Sequence, residues 1–189
     1  IMLVVNPSRG IKTVPDLIAR AKAEPGKLSY GSAGVDGATH LGAELFQQAA
    51  HVQLNHIPYA GASPAINDAV GGQIDLAMLH LSASLPFIRQ GRLVPLAYAA
   101  DKRSPLLPDV PTLDEAGVKG AQAATWYSLA APAGTPPDIV QKLSDTVRSV
   151  NDDPDYRRIM QDQAIELMAL SPQDAGAYDI LMDGVETAA

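Results

Sequence analysis

Between Ile1 and Ala99, short apolar runs alternate with stretches of helical period, and this alternation restricts the chain to an α/β fold built on one sheet. The runs are 1–5, 27–31, 52–58, 73–79 and 94–99. Each is too short for a helix, and the fourth, with Ile74, Leu76, Ala77, Met78 and Leu79, reads as a strand buried on both faces. Strands joined through helices imply a parallel sheet with helices on its faces, the loops after the strands gathering at one edge. Those loops are 31–39, 59–63 and 80–84, with a short helix expected over 85–90. In open sheets the ligand crevice lies outside the carboxyl ends of the strands, so the three loops are the expected site.

The first of them is the most informative. The stretch YGSAGVDGATHL (30–41) ends a strand, bends through Gly31, Gly34 and Gly37, and enters a helix whose expected buried side carries Leu41, Leu45, Phe46 and Ala49. A helix N-terminus presents unpaired N–H groups and a partial positive charge, which favours an anion without lysine or arginine. Gly31, Ala33, Gly34, Gly37 and Ala38 let an anion approach closely, and Ser32, Thr39 and His40 add hydrogen-bonding side chains. The second loop, Tyr59, Ala60, Gly61, Ala62 and Ser63, repeats the arrangement, with Ser63 the expected N-cap and Pro64 the first helical residue. The glycine spacing is neither the dinucleotide fingerprint nor a phosphate loop, so nucleotide is disfavoured.

Elsewhere, Thr13 and Asp16 predict a capped helix, and Asp75, interrupting an apolar strand, reads as a partly exposed strand start or a salt-bridge residue rather than a catalytic one. After Ala99 the pattern changes: 101–111 is proline-rich loop, Thr112 and Glu115 form a capping box opening a short helix, and 123–132 reads as extended chain. Thr135 is the expected cap of a helix burying Ile139, Leu143, Val147 and Val150. A helix from Asp153-Pro154, a strand over 165–170 and a last helix from Ser171 complete the reading.

Composition narrows the chemistry. The 189 residues bury about 70% of the surface exposed by the unfolded chain, enough for a core without staples. There is no cysteine, and His40, His51, His56 and His80 lack metal-ligand spacing, so no metal or cofactor is expected. His51 and His56 read as solvent-facing. A formal charge of −7 without basic runs disfavours nucleic acid, and no apolar run is long enough to span a membrane. Ser32, Asp36 and His40 could form a nucleophile, orienter and base, but the nucleophile-elbow spacing is absent; a hydrolase and an effector-binding regulatory module stand as alternatives to a binding receptor. The chain opens in mid-strand and stops within a helical pattern at 186–189, so both ends are expected to continue in a longer protein.

Five phrases in order, YGSAGVDGATHL (30–41), IPYAG (57–61), GGQID (71–75), KRSPLLPDVPT (102–112) and APAGTP (131–136), resemble the solute-binding receptors of tripartite tricarboxylate transporters, the Bug family. The resemblance implies a non-enzymatic periplasmic receptor of the type II periplasmic-binding-protein architecture, whose two lobes close over a small mono- or dicarboxylate. It implies that 1–125 is the ligand-binding second lobe and 126–189 a C-terminal part of the first, whose N-terminal strands, with a signal peptide, precede this chain. It places the ligand against Ser32, Gly34, Thr39 and His40, against Tyr59, Ala60 and Gly61, and against the third loop. There this chain has His80 where many relatives have aspartate or asparagine, a change that would tolerate a second carboxylate. Membrane transporter subunits are the implied partners, and dimerisation through the incomplete first lobe is a further expectation.

Overall fold

The computed structural model describes residues 1–168 and Ser171. They fall into two compact units, one of residues Ile1–Trp126 and one beginning at Tyr127.

The first unit is a five-stranded sheet with helices. In chain order it contains β1 (Met2–Val5), a 3-10 turn (Pro7–Arg9), α1 (Val14–Ala23), β2 (Ser29–Ser32), α2 (Ala38–Ala50), β3 (Asn55–Pro58), α3 (Ala62–Gly71), β4 (Leu76–Leu79), α4 (Leu81–Arg89) and β5 (Val94–Tyr98). Across the sheet the order is β3-β2-β4-β1-β5. β2 runs parallel to both β3 and β4, but β1 is antiparallel to both β4 and β5. The expectation of a parallel sheet therefore fails at β1. The chain leaves β1 and enters β2 at the same sheet edge: the Asn6 amide donates to the Asp75 carbonyl, and the Ser29 amide to the Asp75 carboxylate. Strands joined across one edge must run in opposite directions. Met2–Val5 is buried throughout, and a continuous apolar run records that burial but not the direction.

β5 carries Pro95, which cannot donate to a ladder; the β1–β5 register shifts between Leu3 and Val4, leaving Leu96 as the extra residue of a bulge. β4 is fully buried, as its sequence predicts.

Helix α2 buries Thr39, Gly42, Ala43, Phe46 and Ala50. Leu41 and Leu45, expected inside, are 48% and 37% exposed. The helix is turned so that small residues face the densest packing: a Cβ at Gly42 would lie 2.9 Å from the Ala123 side chain, leaving no room for a leucine on that side.

Three other boundaries move. Gly61, with φ 125°, is the N-cap of α3, so Ser63 lies within the first turn instead of capping it. His80 is the N-cap of α4, so 81–84 is helix where a loop is expected. Thr112 and Glu115 make both bonds of a capping box, at 3.1 and 2.8 Å, but the box closes a turn rather than a helix.

The second unit contains α5 (Pro137–Asp152) and α6 (Pro154–Asp162), the latter capped by Asp153, whose carboxylate accepts from the Tyr156 amide at 2.9 Å. Thr135 does not cap α5; its hydroxyl donates to the Pro132 carbonyl, and Pro136 occupies the cap position. Ile139, Leu143, Val147 and Val150 do line one side of α5, but no residue of that helix is buried, and each of the four is more than two-fifths exposed. Residues 165–168 form no strand; the rest of that expected strand and the helix expected after Ser171 lie outside the described residues. No helix among the described residues is long and apolar enough to cross a membrane.

Candidate functional site

β2, β3 and β4 run side by side in one direction, so their carboxyl ends deliver three loops to one edge of the sheet. Ser32 pairs with Pro58, and the Tyr59 amide donates to the Ser32 carbonyl at 3.2 Å, which ties the second loop to the first. Each loop leads directly into a helix: α2 after Gly37, α3 after Gly61 and α4 after His80. None of the three is capped by a side chain. By contrast, α1 begins with a complete capping box between Thr13 and Asp16. Among the described residues no hydrogen bond occupies the amides of Gly37, Ala38 and Thr39, of Ala60, Gly61, Ala62 and Ser63, or of Leu81 and Ser82. A helix start normally satisfies such donors with a cap, water or a ligand.

The bend between β2 and α2 is held from within by its own side chains. Thr39, buried, accepts from the Ala33 amide at 3.0 Å through Oγ1. Ser32, fully buried, donates its hydroxyl to the Gly34 carbonyl at 2.9 Å. His40 Nδ1 accepts from the Asp36 amide at 3.1 Å, and Asp36 sits at φ 59°, a conformation that side chains rarely adopt. Gly34, at φ 145°, takes a turn that a residue with a side chain would resist. The sequence-predicted side chains Ser32, Thr39 and His40 thus brace the loop, and the amides left over are those at the helix start.

Behind the loop lies a stack that sequence reasoning missed. Tyr30 and His56 are register partners on β2 and β3, with ring centroids 4.6 Å apart and planes 16° from parallel. His40 stacks on the other side of His56 at 4.2 Å and 12°. Glu44 accepts from the Tyr30 hydroxyl at 2.6 Å and from the Gln47 amide at 2.7 Å, and it stands 3.8 Å from His40 Nε2. His56 therefore does not simply face water. Its Nε2 lies 2.7 Å from Ser32 Oγ; with the Ser32 hydrogen given to Gly34, the His56 N–H supplies this bond. Burial, and then the neighbouring His40, hold the His56 pKa below its ordinary value, while Glu44 pulls the other way. Burial also holds the Tyr30 hydroxyl in its protonated form, helped by the bond to Glu44. The signal available in the sequence was alternation: Tyr30 and His56 face the same side only once the β2–β3 register is known.

The second and third loops are simpler. Tyr59 donates its hydroxyl to Asp68 at 2.7 Å, and burial, then that bond, push its pKa up to about 12. Ala60 is exposed, and Gly61 stands at a φ of 125°, which a residue with a side chain would resist. His80 is partly buried at the start of α4, its pKa lowered by that burial. His51 ends α2 in the left-handed conformation, exposed, as its sequence position suggests.

A serine-nucleophile arrangement is not assembled. The Ser32 hydroxyl meets His56 instead of His40, is fully buried, and already donates to Gly34. The Asp36 carboxylate reaches His40 only at 3.9 Å.

Residues 1–182 match the family described as "Tripartite tricarboxylate transporter family receptor". The "UPF0065 protein in gbd 5'region" of Cupriavidus necator is 42% identical over 155 residues, covering 82% of this chain and 47% of that protein. A solved structure described as "R. palustris Rpa4515 with adipate" superposes with a TM-score of 0.87 at 34% identity, over 94% of this chain and 59% of the other. "MatC (Rpa3494) from Rhodopseudomonas palustris with bound malate" superposes with a TM-score of 0.78 at 29% identity, over 86% and 55%. The chain spans about half the length of the curated relatives it matches. These neighbours are solute-binding proteins, not enzymes, and the α/β sheet described above is of their periplasmic-binding-protein type.

Proposed function

The chain belongs to the tripartite tricarboxylate transporter receptor family, and from that membership we propose that it takes part in capturing a small organic anion, a mono- or dicarboxylate, in the periplasm for delivery to membrane transporter subunits. The observation that carries the reading is the convergence of three helix N-termini without side-chain caps on one sheet edge, with the amides of residues 37–39, 60–63 and 81–82 unspent. Backbone donors aimed by helix dipoles favour a carboxylate even though the chain carries a net charge of −7, because short-range, well-aimed bonds outweigh screened long-range repulsion. Adipate and malate in two structural neighbours are dicarboxylates, which supports the same class here.

In this reading Gly37, Thr39, Ala60 and Gly61 present main-chain donors, and Gly34 and Tyr59 shape the bends that aim them. Ser32 and His40 hold the first loop in place. His80, at the third helix start, stands where the far end of a dicarboxylate would arrive, and as an imidazole it accommodates a second negative charge.

Three or four charge-assisted bonds contribute about 1.5–3 kcal/mol each before the cost of association is subtracted. A single unit is therefore expected to bind in the millimolar range, and tighter capture needs a second surface closing over the anion. Calorimetric titration with adipate, malate, succinate and lysine tests the reading. Heat with the dicarboxylates, weakened by Ala38→Pro, which the first helical position tolerates but which removes one of the free amide donors, is the expected result; binding of lysine with none of the acids would overturn it.

A further inference from the structure

We propose that His40 is a proton-sensitive positioning residue: in its neutral form it holds the anion-binding bend through the Asp36 amide, and protonation releases that hold. The inference rests on the reading of the site given above. Among the described residues, His40 Nδ1 is the acceptor that the Asp36 amide meets, at 3.1 Å. Asp36 is the residue at which the bend reverses, at φ 59°, and the next residue, Gly37, is the N-cap of α2. The orientation of the unspent amides at 37–39 therefore follows from where the Asp36 peptide is held.

A nitrogen that accepts a hydrogen bond has no proton of its own, so the neutral ring carries its hydrogen on Nε2, toward Glu44 at 3.8 Å. When a proton adds to Nδ1, two N–H groups face each other and the Asp36 bond is lost. The new N–H has a different partner nearby, the Asp36 carboxylate at 3.9 Å, which is largely exposed and free to turn toward it. The stabilising contact thus passes from the Asp36 main chain to its side chain, and the peptide that sets the helix start is let go.

Charged and titratable groups face His40 from each element packed against it. Asp36 from the bend and Glu44 from α2 both favour the protonated ring. His56 from β3, stacked face to face at 4.2 Å, disfavours it once it carries charge itself. Tyr30 from β2 reaches the cluster through Glu44, donating at 2.6 Å to the same Oε1 that stands 3.8 Å from His40 Nε2. The ring is held on its flank by the stack, so protonation changes its bonding without freeing it to leave.

Protonation also adds a positive charge close to the site, which by itself would strengthen anion binding. The proposal requires the opposite outcome, because a misaimed set of short donors loses more than a single partly screened charge returns.

Two measurements on the chain test this. In the free protein, long-range proton–nitrogen correlation of the imidazoles and the amide shift of Asp36 are followed between about pH 5 and 8, around the ordinary histidine pKa of about 6.5. The expected result is a neutral His40 protonated on Nε2, with an Asp36 amide that titrates at the His40 midpoint. A His40 proton on Nδ1, or an Asp36 amide indifferent to His40, would overturn the proposal whether or not any ligand binds. In the second, adipate affinity is measured from pH 8 to 6. It is expected to fall about fivefold, the equivalent of one lost hydrogen bond, and the step is expected to vanish in His40→Asn, whose amide oxygen can accept without titrating. An affinity that rises toward pH 6, or a step that persists in His40→Asn, refutes the switch. If adipate does not bind at any pH while the Asp36 amide tracks His40, the carboxylate reading fails and the positioning role stands.

Discussion

Tyr30 donates its hydroxyl hydrogen to Glu44 at 2.6 Å, joining the middle of β2 to the second turn of α2. The bond ties strand to helix directly beneath the glycine bend that lies between them in sequence. Tyr30→Phe keeps the ring and its stack on His56 but removes that tie. We expect a loss of about 1.5 kcal/mol in urea unfolding, the low end of the net worth of a hydrogen bond to a charged group. A change indistinguishable from zero would show that Gln47 alone holds Glu44.

At the opposite edge of the sheet, Asp75 holds three elements together. It accepts from the Ser29 amide at 2.7 Å and the Ser29 hydroxyl at 2.8 Å. Arg9 Nε stands 2.8 Å from its other oxygen, an ion pair by distance although the N–H is not aimed along that line as a hydrogen bond requires. Asp75→Ala strands a partly buried amide and a guanidinium, for an expected loss of about 3 kcal/mol. Adipate affinity measured below the unfolding transition should stay unchanged, because the substitution lies away from the helix starts. A parallel loss of affinity would contradict the placement of the site.

His56 predicts an acid limb to stability. Its folded pKa is lowered, first by burial and then by His40, so the unfolded chain takes up the proton more readily. The stabilising contribution is therefore complete above the unfolded value of about 6.5 and is lost as pH falls from there through the folded pKa. Thermal melts between pH 7.5 and 5 should show this fall, and His56→Gln, which does not titrate, should flatten it. An unchanged slope in that variant would assign the limb to other groups.

Gly42 predicts a packing limit. Alanine has the better helix propensity, yet its Cβ would come within 2.9 Å of the Ala123 side chain. Gly42→Ala should therefore be destabilising, by about 1 kcal/mol, and Gly42→Leu by about 3 kcal/mol or more, as measured by denaturant midpoint. Stabilisation by alanine would mean that the 121–123 segment yields without cost.

Much of this arrangement was legible in the chain itself. The Thr13–Asp16 and Thr112–Glu115 boxes and the Asp153 cap form between residues three positions apart, so composition and spacing suffice to write them. Asp75 read as a partly exposed strand start or a salt-bridge residue, and it is both, partly buried just ahead of β4 and 2.8 Å from Arg9. The glycine bend at 31–37 and its helix were visible as a pattern, as was the second loop beside it; the third, expected over 80–84, is helix from Leu81.

What the pattern could not carry is any feature decided by residues far apart in the chain. The direction of β1 depends on which sheet edge receives β2, and an apolar run is the same read either way. The outward turn of Leu41 and Leu45 follows from the close approach of Ala123 to Gly42, and the stack of Tyr30, His56 and His40 follows from the register of two strands. On α5 the apolar spacing was correct and the burial was not, since a stripe of Ile139, Leu143, Val147 and Val150 specifies a face but not its cover. Sequence determined the five strands and most of the helices, together with the glycine bend, because short-range hydrogen bonds and hydrophobic period act within a few residues. Tertiary structure alone decided which side chains brace the bend and which amides remain without a partner among the described residues, because those assignments depend on neighbours that only packing brings together.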